Sequence, residues 1–173
     1  MNLSSDRTVI RPIEERDNAA VAAIIRGSLE EFGAAHPGTV YFDATTDALY
    51  ALFQKPGAAY FVAERAGVVV GGGGIYPTEG LPPDTCELVK MYLRADSRGI
   101  GLGKKLIQKN LDFAAQTGYK NVYLETMPEL KQALNVYAKF GFEYLPAPMG
   151  NSGHHGCSLW MLKAGALSPG GGT

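Results

Sequence analysis

Apolar positions along the chain switch between two periods, and the switch is sharpest near the middle. Leu88, Val89, Met91, Tyr92 and Leu93 form an apolar run broken by Lys90. Leu102, Leu106, Ile107, Leu111 and Ala114 then recur at helical spacing. The stretch from Cys86 to Lys105 therefore reads as a strand, a tight turn and the start of an amphipathic helix. Gly118 is placed to stop that helix, and Val122 to Thr126 reads as another strand. Strand, helix and strand within about 40 residues imply a parallel pair joined by a right-handed crossover.

The same reading extends both ways. Thr8 to Ile13 is a short strand, and its Pro12 suits an edge or a strand end. Asp17 is the expected N-cap of a helix whose face carries Val21, Ile24, Ile25, Leu29 and Phe32, ending at Gly33. A loop follows from Ala34 to Phe42. Asp43 or Thr46 is the expected cap of a shorter helix with Leu49, Leu52 and Phe53. Ala59 to Glu64 and Val68 to Tyr76 form a hairpin. The second of these strands holds Gly71 to Gly74, four glycines that weaken a strand unless another element packs closely on it or a ligand passes over it. Pro128 is expected to open a helix that ends at Gly141. Phe142 to Leu145 and Cys157 to Lys163 read as a closing antiparallel pair around a loop from Pro146 to Gly156. Residues 1–6 are expected to be a loose start and 164–173 a disordered tail, leaving one domain over 7–163. The whole is a mixed sheet with helices on its faces, α/β or α+β in class.

Composition narrows the function. The chain has 173 residues with a formal net charge of -1 and 46% hydrophobic content. No basic stripe suggests a nucleic-acid partner. Cys86 and Cys157 are too few for a disulfide scaffold. No stretch has the continuous apolar length of a membrane span, and the first residues lack a signal-peptide core. A cytoplasmic protein with no membrane partner is the expectation.

The turn itself carries chemistry. Arg98-Gly99-Ile100-Gly101-Leu102-Gly103 places three glycines at alternate positions ahead of a helix. Backbone N–H groups and the positive end of the helix dipole make such a turn an anion site, most naturally for a phosphate or pyrophosphate. A dinucleotide fingerprint does not fit, because Lys104 stands at its last glycine. A P-loop does not fit either, because Arg98 stands at its first glycine and Lys105 at its Ser/Thr.

What fits is R-x-x-G-x-G at Arg98, Gly101 and Gly103, directly after a strand. A second motif, A-x-x-x-Y-x-K-x-G-F, runs from Ala133 through Tyr137 and Lys139 to Gly141 and Phe142. Together, in this order of elements, they resemble the GNAT superfamily of N-acetyltransferases over about residues 7 to 163. The resemblance implies a mostly antiparallel mixed sheet of about seven strands flanked by about four helices. It implies acetyl-CoA as co-substrate, with its pyrophosphate on Arg98, Gly99, Ile100, Gly101, Leu102, Gly103 and Lys104. The pantetheine arm would lie against the backbone of Met91, Tyr92 and Leu93, where the central strand splays from its neighbour. The asparagine common seven residues before the tyrosine is Leu130 here.

By the same resemblance Tyr137 is the general acid for the departing thiolate, and Glu87, on the central strand, is the candidate base. Glu31, His36, Asp43 and His155 fall where acceptor recognition is expected. No metal is expected, since His154, His155 and Cys157 lack the spacing of a zinc site. Cys86 and Cys157 rank below direct attack as nucleophiles. The function expected is acetyl transfer to a primary amine, small molecule or peptide, through a ternary complex of a monomer or homodimer. The alternative is a non-catalytic acyl-CoA-binding module, which would need neither Glu87 nor Tyr137.

Overall fold

The computed structural model describes residues 7–165. The expected loose start at 1–6 and positions 166–173 of the expected tail lie outside the described residues. The elements run β1 (Thr8–Pro12), α1 (Asn18–Glu31), α2 (Leu49–Leu52), β2 (Ala59–Arg65), β3 (Val68–Tyr76), β4 (Thr85–Leu93), α3 (Leu102–Thr117), β5 (Asn121–Thr126), α4 (Lys131–Lys139), β6 (Glu143–Leu145) and β7 (Leu159–Lys163). The strands form one sheet in the order β1-β2-β3-β4-β5-β7-β6. Each pairing is antiparallel except β4 with β5.

Helix ends differ from the sequence expectation for local reasons. Asp17 stands at the N-cap of α1, but its side chain makes no cap bond. It is taken instead by Arg11, at 2.8 and 2.9 Å, and by the Glu14 N–H at 2.8 Å. Asp43 caps a short 3-10 turn ahead of α2, accepting from the Thr45 N–H at 2.9 Å. Pro128 does not open α4. The Leu130 N–H closes a separate turn on the Met127 carbonyl at 3.1 Å, and the helix begins at Lys131.

The two faces of the sheet are covered by different helices. Val21, Ile25 and Leu29 of α1 and Leu49 of α2 pack with Tyr60 and Val62 on one face. Ile107 and Leu111 of α3 pack with Cys86 and Leu88 on the other, joined by Tyr137 of α4. Each large apolar side chain fully buried in this way contributes about 1.5–3 kcal/mol.

The glycine run in β3 has a packing cause. A Cβ at Gly72 would lie 2.5 Å from the Tyr60 ring, and one at Gly74 would lie 2.7 Å from both Tyr60 and Phe53. With no side chains at Gly72 and Gly74, Tyr60 of β2 lies across β3 towards β4.

Two irregularities in β4 shape the centre of the molecule. Its parallel ladder with β5 holds for only three pairs, Thr85–Asn121, Cys86–Val122 and Glu87–Tyr123. Beyond Glu87 the two strands part. On the other side, Gly74 pairs with Val89 and Gly72 with Tyr92, so Lys90 and Met91 together oppose Gly73. This is a bulge. Lys90 takes φ +52°, a left-handed conformation that costs a residue with a side chain roughly 1–2 kcal/mol.

Candidate active site

A cavity of about 330 Å3 follows the gap between β4 and β5. Its walls run from Gly99, Gly101, Gly103 and Lys104 past β4 to Glu87, Glu125 and His154. The glycine turn and Lys104 lie at one end, and Glu87 and Glu125 at the other.

At the basic end, Gly99 and Gly101 have φ +78° and +87°, values that favour glycine. Gly101 is the N-cap of α3 and offers no side-chain cap. The first N–H groups of a helix have no partner within it. A Cβ at Gly99 or Gly101 would meet nothing within 4 Å, so space for an anion is open above the turn. The residues fit a pyrophosphate through backbone N–H groups. The Arg98 side chain points elsewhere. Its guanidinium pairs with Glu31 at 2.8 Å, donates to the Leu93 carbonyl at 3.0 Å and stacks 4.8 Å from the Phe32 ring centroid. Arg98 thus braces the end of β4 against α1.

Between the ends lies the half of β4 that β5 leaves unpaired, with Met91, Tyr92 and Leu93 lining the cavity. Tyr137 enters from α4. It is 7% exposed and packs its ring 5.8 Å from Phe142. Burial raises its phenol above the usual range, so it keeps its proton.

At the acidic end Glu87 is 3% exposed and accepts from the Thr78 hydroxyl at 2.6 Å. Burial pushes its carboxyl up to about 7; Thr78 pulls it down and the charge of Glu125 adds to the rise. Glu125 of β5 accepts from the Tyr123 hydroxyl at 2.6 Å and from the Ser152 hydroxyl. Oxygens of Glu87 and Glu125 and a ring nitrogen of His154 lie within 4.8 Å of one another. Such a group could accept a divalent ion or an ammonium with equal ease by distance alone.

Lys90 lies beside this end with its side chain buried. Its ammonium sits 3.5 Å from Asp43 and 3.4 Å from the Thr46 hydroxyl. Burial lowers its pKa, and Asp43 opposes that fall. Burial pushes the Asp43 carboxyl up, but Thr45, Lys90 and His154 outweigh it and hold the carboxyl below the usual range. His154 approaches Asp43 at 3.2 Å.

The loop between β6 and β7 roofs the acidic end. It is fastened at Met149 N–H to the Tyr123 hydroxyl (3.1 Å), at Asn151 N–H to the Glu79 carbonyl (2.7 Å) and at Gly156 N–H to the Gly38 carbonyl (2.9 Å).

The structure therefore brings together Glu87, Tyr137, Met91 to Leu93 and the glycine turn in one cavity. It puts Glu31 on Arg98, and His36 at the surface 3.8 Å from Glu129. Asp43 stands behind Lys90 and His154. His155 is exposed and lies against Gly38, while its neighbour His154 lines the cavity. Glu125, Thr78 and Lys90 were not singled out from the sequence. A carboxylate and an ammonium inside otherwise apolar strands were the signal available. Burial pushes both Cys86 and Cys157 up to about 12, with carboxylates adding to each rise, so neither is a thiolate at neutral pH.

Comparison with known proteins places the chain by sequence and by fold. The acetyltransferase (GNAT) family model matches residues 22–142. An N-acetyltransferase of Escherichia coli K12, YjgM, is 41% identical over 163 residues, covering 94% of this chain and 98% of that protein. An N-acetyltransferase of Schizosaccharomyces pombe is 27% identical over 124 residues, covering 69% and 72% of the two chains. Among solved structures, a GNAT-family acetyltransferase from Staphylococcus aureus superposes with a TM-score of 0.80 at 16% identity, covering 91% of this chain and 99% of that one. An acetyltransferase from Salmonella typhimurium, solved with its cofactor acetyl-CoA, superposes at 0.71 with 20% identity, covering 96% and 98%. Family model, relatives and fold agree: the chain belongs to the GNAT family of acetyltransferases.

Proposed function

We propose that the protein transfers an acetyl group from acetyl-CoA to a primary amine by direct attack in a ternary complex. The observation that carries this reading is the continuous cavity along the unpaired half of β4, from the glycine turn to Glu87. Backbone N–H groups at the turn hold the pyrophosphate. The pantetheine arm lies against Met91 to Leu93, filling the place β5 vacates. This brings the thioester to the level of the Lys90 bulge, where backbone N–H groups of β4 can meet the carbonyl oxygen as it gains charge.

The amine arrives as an ammonium and gives one proton to Glu87. Its lone pair attacks the thioester carbon, a C–N bond forms, and the carbonyl electrons move to oxygen. They return as the C–S bond breaks. The thiolate takes the Tyr137 proton, and the second proton on nitrogen restores the phenol. Glu87 gives its proton to solvent. Acetyl-CoA and amine become amide and free CoA.

The test is a thermal-shift titration with acetyl-CoA, then CoA release on adding amines. A ligand at about 100 times its dissociation constant stabilises by roughly 2.7 kcal/mol. No shift with acetyl-CoA or any other acyl-CoA would overturn the reading.

A further inference from the structure

We infer that the acceptor is a primary ammonium compound whose amine-bearing carbon carries no carboxylate, and that free α-amino acids are rejected. This rests on the acetyl-transfer reading and names the class of substrate for that site.

The charges at the acidic end carry the inference. Glu87 and Glu125 both face the cavity, with a ring nitrogen of His154 beside them, their ligand atoms within 4.8 Å of one another. An alkylammonium presents three N–H donors and no acceptor, so it matches such a cluster. An α-amino acid brings a carboxylate two bonds from the same nitrogen. That group needs a cation next to the ammonium site. Lys90 is the lysine there, and its ammonium is already seated on Asp43 and Thr46 inside the protein, while His154 Nε2 lies 3.2 Å from the same Asp43 carboxylate. Arg98 lies at the opposite end and is paired with Glu31. A substrate carboxylate would therefore stand beside Glu87 and Glu125 with its charge unmatched, and like charges held together inside a low-dielectric cavity are strongly disfavoured.

The roof points the same way. Ser152 spends its hydroxyl on Glu125 and accepts from the backbone N–H of His154 at 3.1 Å. Tyr123 spends its own on Glu125, and Thr78 on Glu87. The hydroxyl donors around the two carboxylates are thus committed to them, and none of the three is left to receive a second anion.

Matched sets of amines test this on the wild-type protein with acetyl-CoA. Each set holds an amine, its α-carboxyl form and the neutral amide of that acid: tyramine, tyrosine and tyrosinamide; histamine, histidine and histidinamide; agmatine, arginine and argininamide. In any set that is used, the amine and the amide should exceed the acid in kcat/KM by about tenfold or more. The amide separates charge from bulk. Equal or better use of the amino acids overturns the inference. So does absence of both CoA release and a thermal shift with every amine and amide while acetyl-CoA still binds. Loss of acetyl-CoA binding itself would instead fail the underlying reading. Glu125→Gln should raise KM for tyramine and shrink its advantage over tyrosine, with folding checked by circular dichroism. Reactions run with EDTA should be unchanged. Inhibition that a divalent ion reverses would give the three ligands to a metal and end the proposal.

Discussion

The Tyr60 hydroxyl reaches across β3 and donates to the Lys90 carbonyl at 2.8 Å, holding the bulge of β4 from two strands away. Gly72 and Gly74 leave the room for its ring. Tyr60→Phe removes a buried donor and leaves that carbonyl unpaired. It should destabilise the fold by about 1–3 kcal/mol. If the bulge aligns the thioester, kcat should fall while KM for acetyl-CoA moves little. Denaturation and steady-state kinetics on the one variant read both. Unchanged kcat would remove the bulge from the mechanism.

Tyr137→Phe removes the phenol and keeps the ring against Phe142. Turnover should drop by well over about tenfold, within the range of a lost acid catalyst. Acetyl-CoA affinity should stay close to wild type, measured by calorimetry. Normal turnover would exclude Tyr137 as the acid.

Glu87 must be ionised to take a proton, and its carboxyl lies at about 7. A raised carboxyl is protonated below that value and becomes a base above it. The rate, kcat/KM for the amine, should therefore climb as pH rises through about 7 and then level. Glu87→Gln should be slow and lack this limb. A variant with the same limb would assign it to another group.

Gly103→Asp places a carboxylate at the turn proposed to hold the pyrophosphate. Gly101→Arg puts a bulky side chain at φ +87°, where strain adds about 1 kcal/mol or somewhat more. Both should fold, and both should lose the acetyl-CoA thermal shift. A full shift in either would move the pyrophosphate away from the turn.

The outline of the fold was legible because it lies in local sequence, and so were the residues of the proposed cofactor half. Alternating and helical periods mark the strands and helices, and glycines mark a turn whose backbone must be exposed. The proposed acceptor half was less legible because distant segments assemble it. Glu125 becomes interesting once β5 brings it beside Glu87, and Lys90 once the loop at Asp43 and Thr46 closes over its ammonium. His154 and His155 are adjacent in the chain, and only the path of the roof loop decides which faces inward. The start of α4 was misplaced because a proline signals the end of a turn as well as the opening of a helix, and here Met127 to Leu130 forms that turn.

An unpaired strand edge is ordinarily a place where another protein's strand can add. Here such an edge lies in the interior of the sheet, where β4 and β5 separate, rather than at its rim. Lys104 and Ile107 of α3 and Ala133, Val136 and Tyr137 of α4 wall it in. To pair with it, a strand of another protein would have to enter between these two helices. The protein thus keeps its unpaired edge between its own helices, away from the rim where strands of other molecules add.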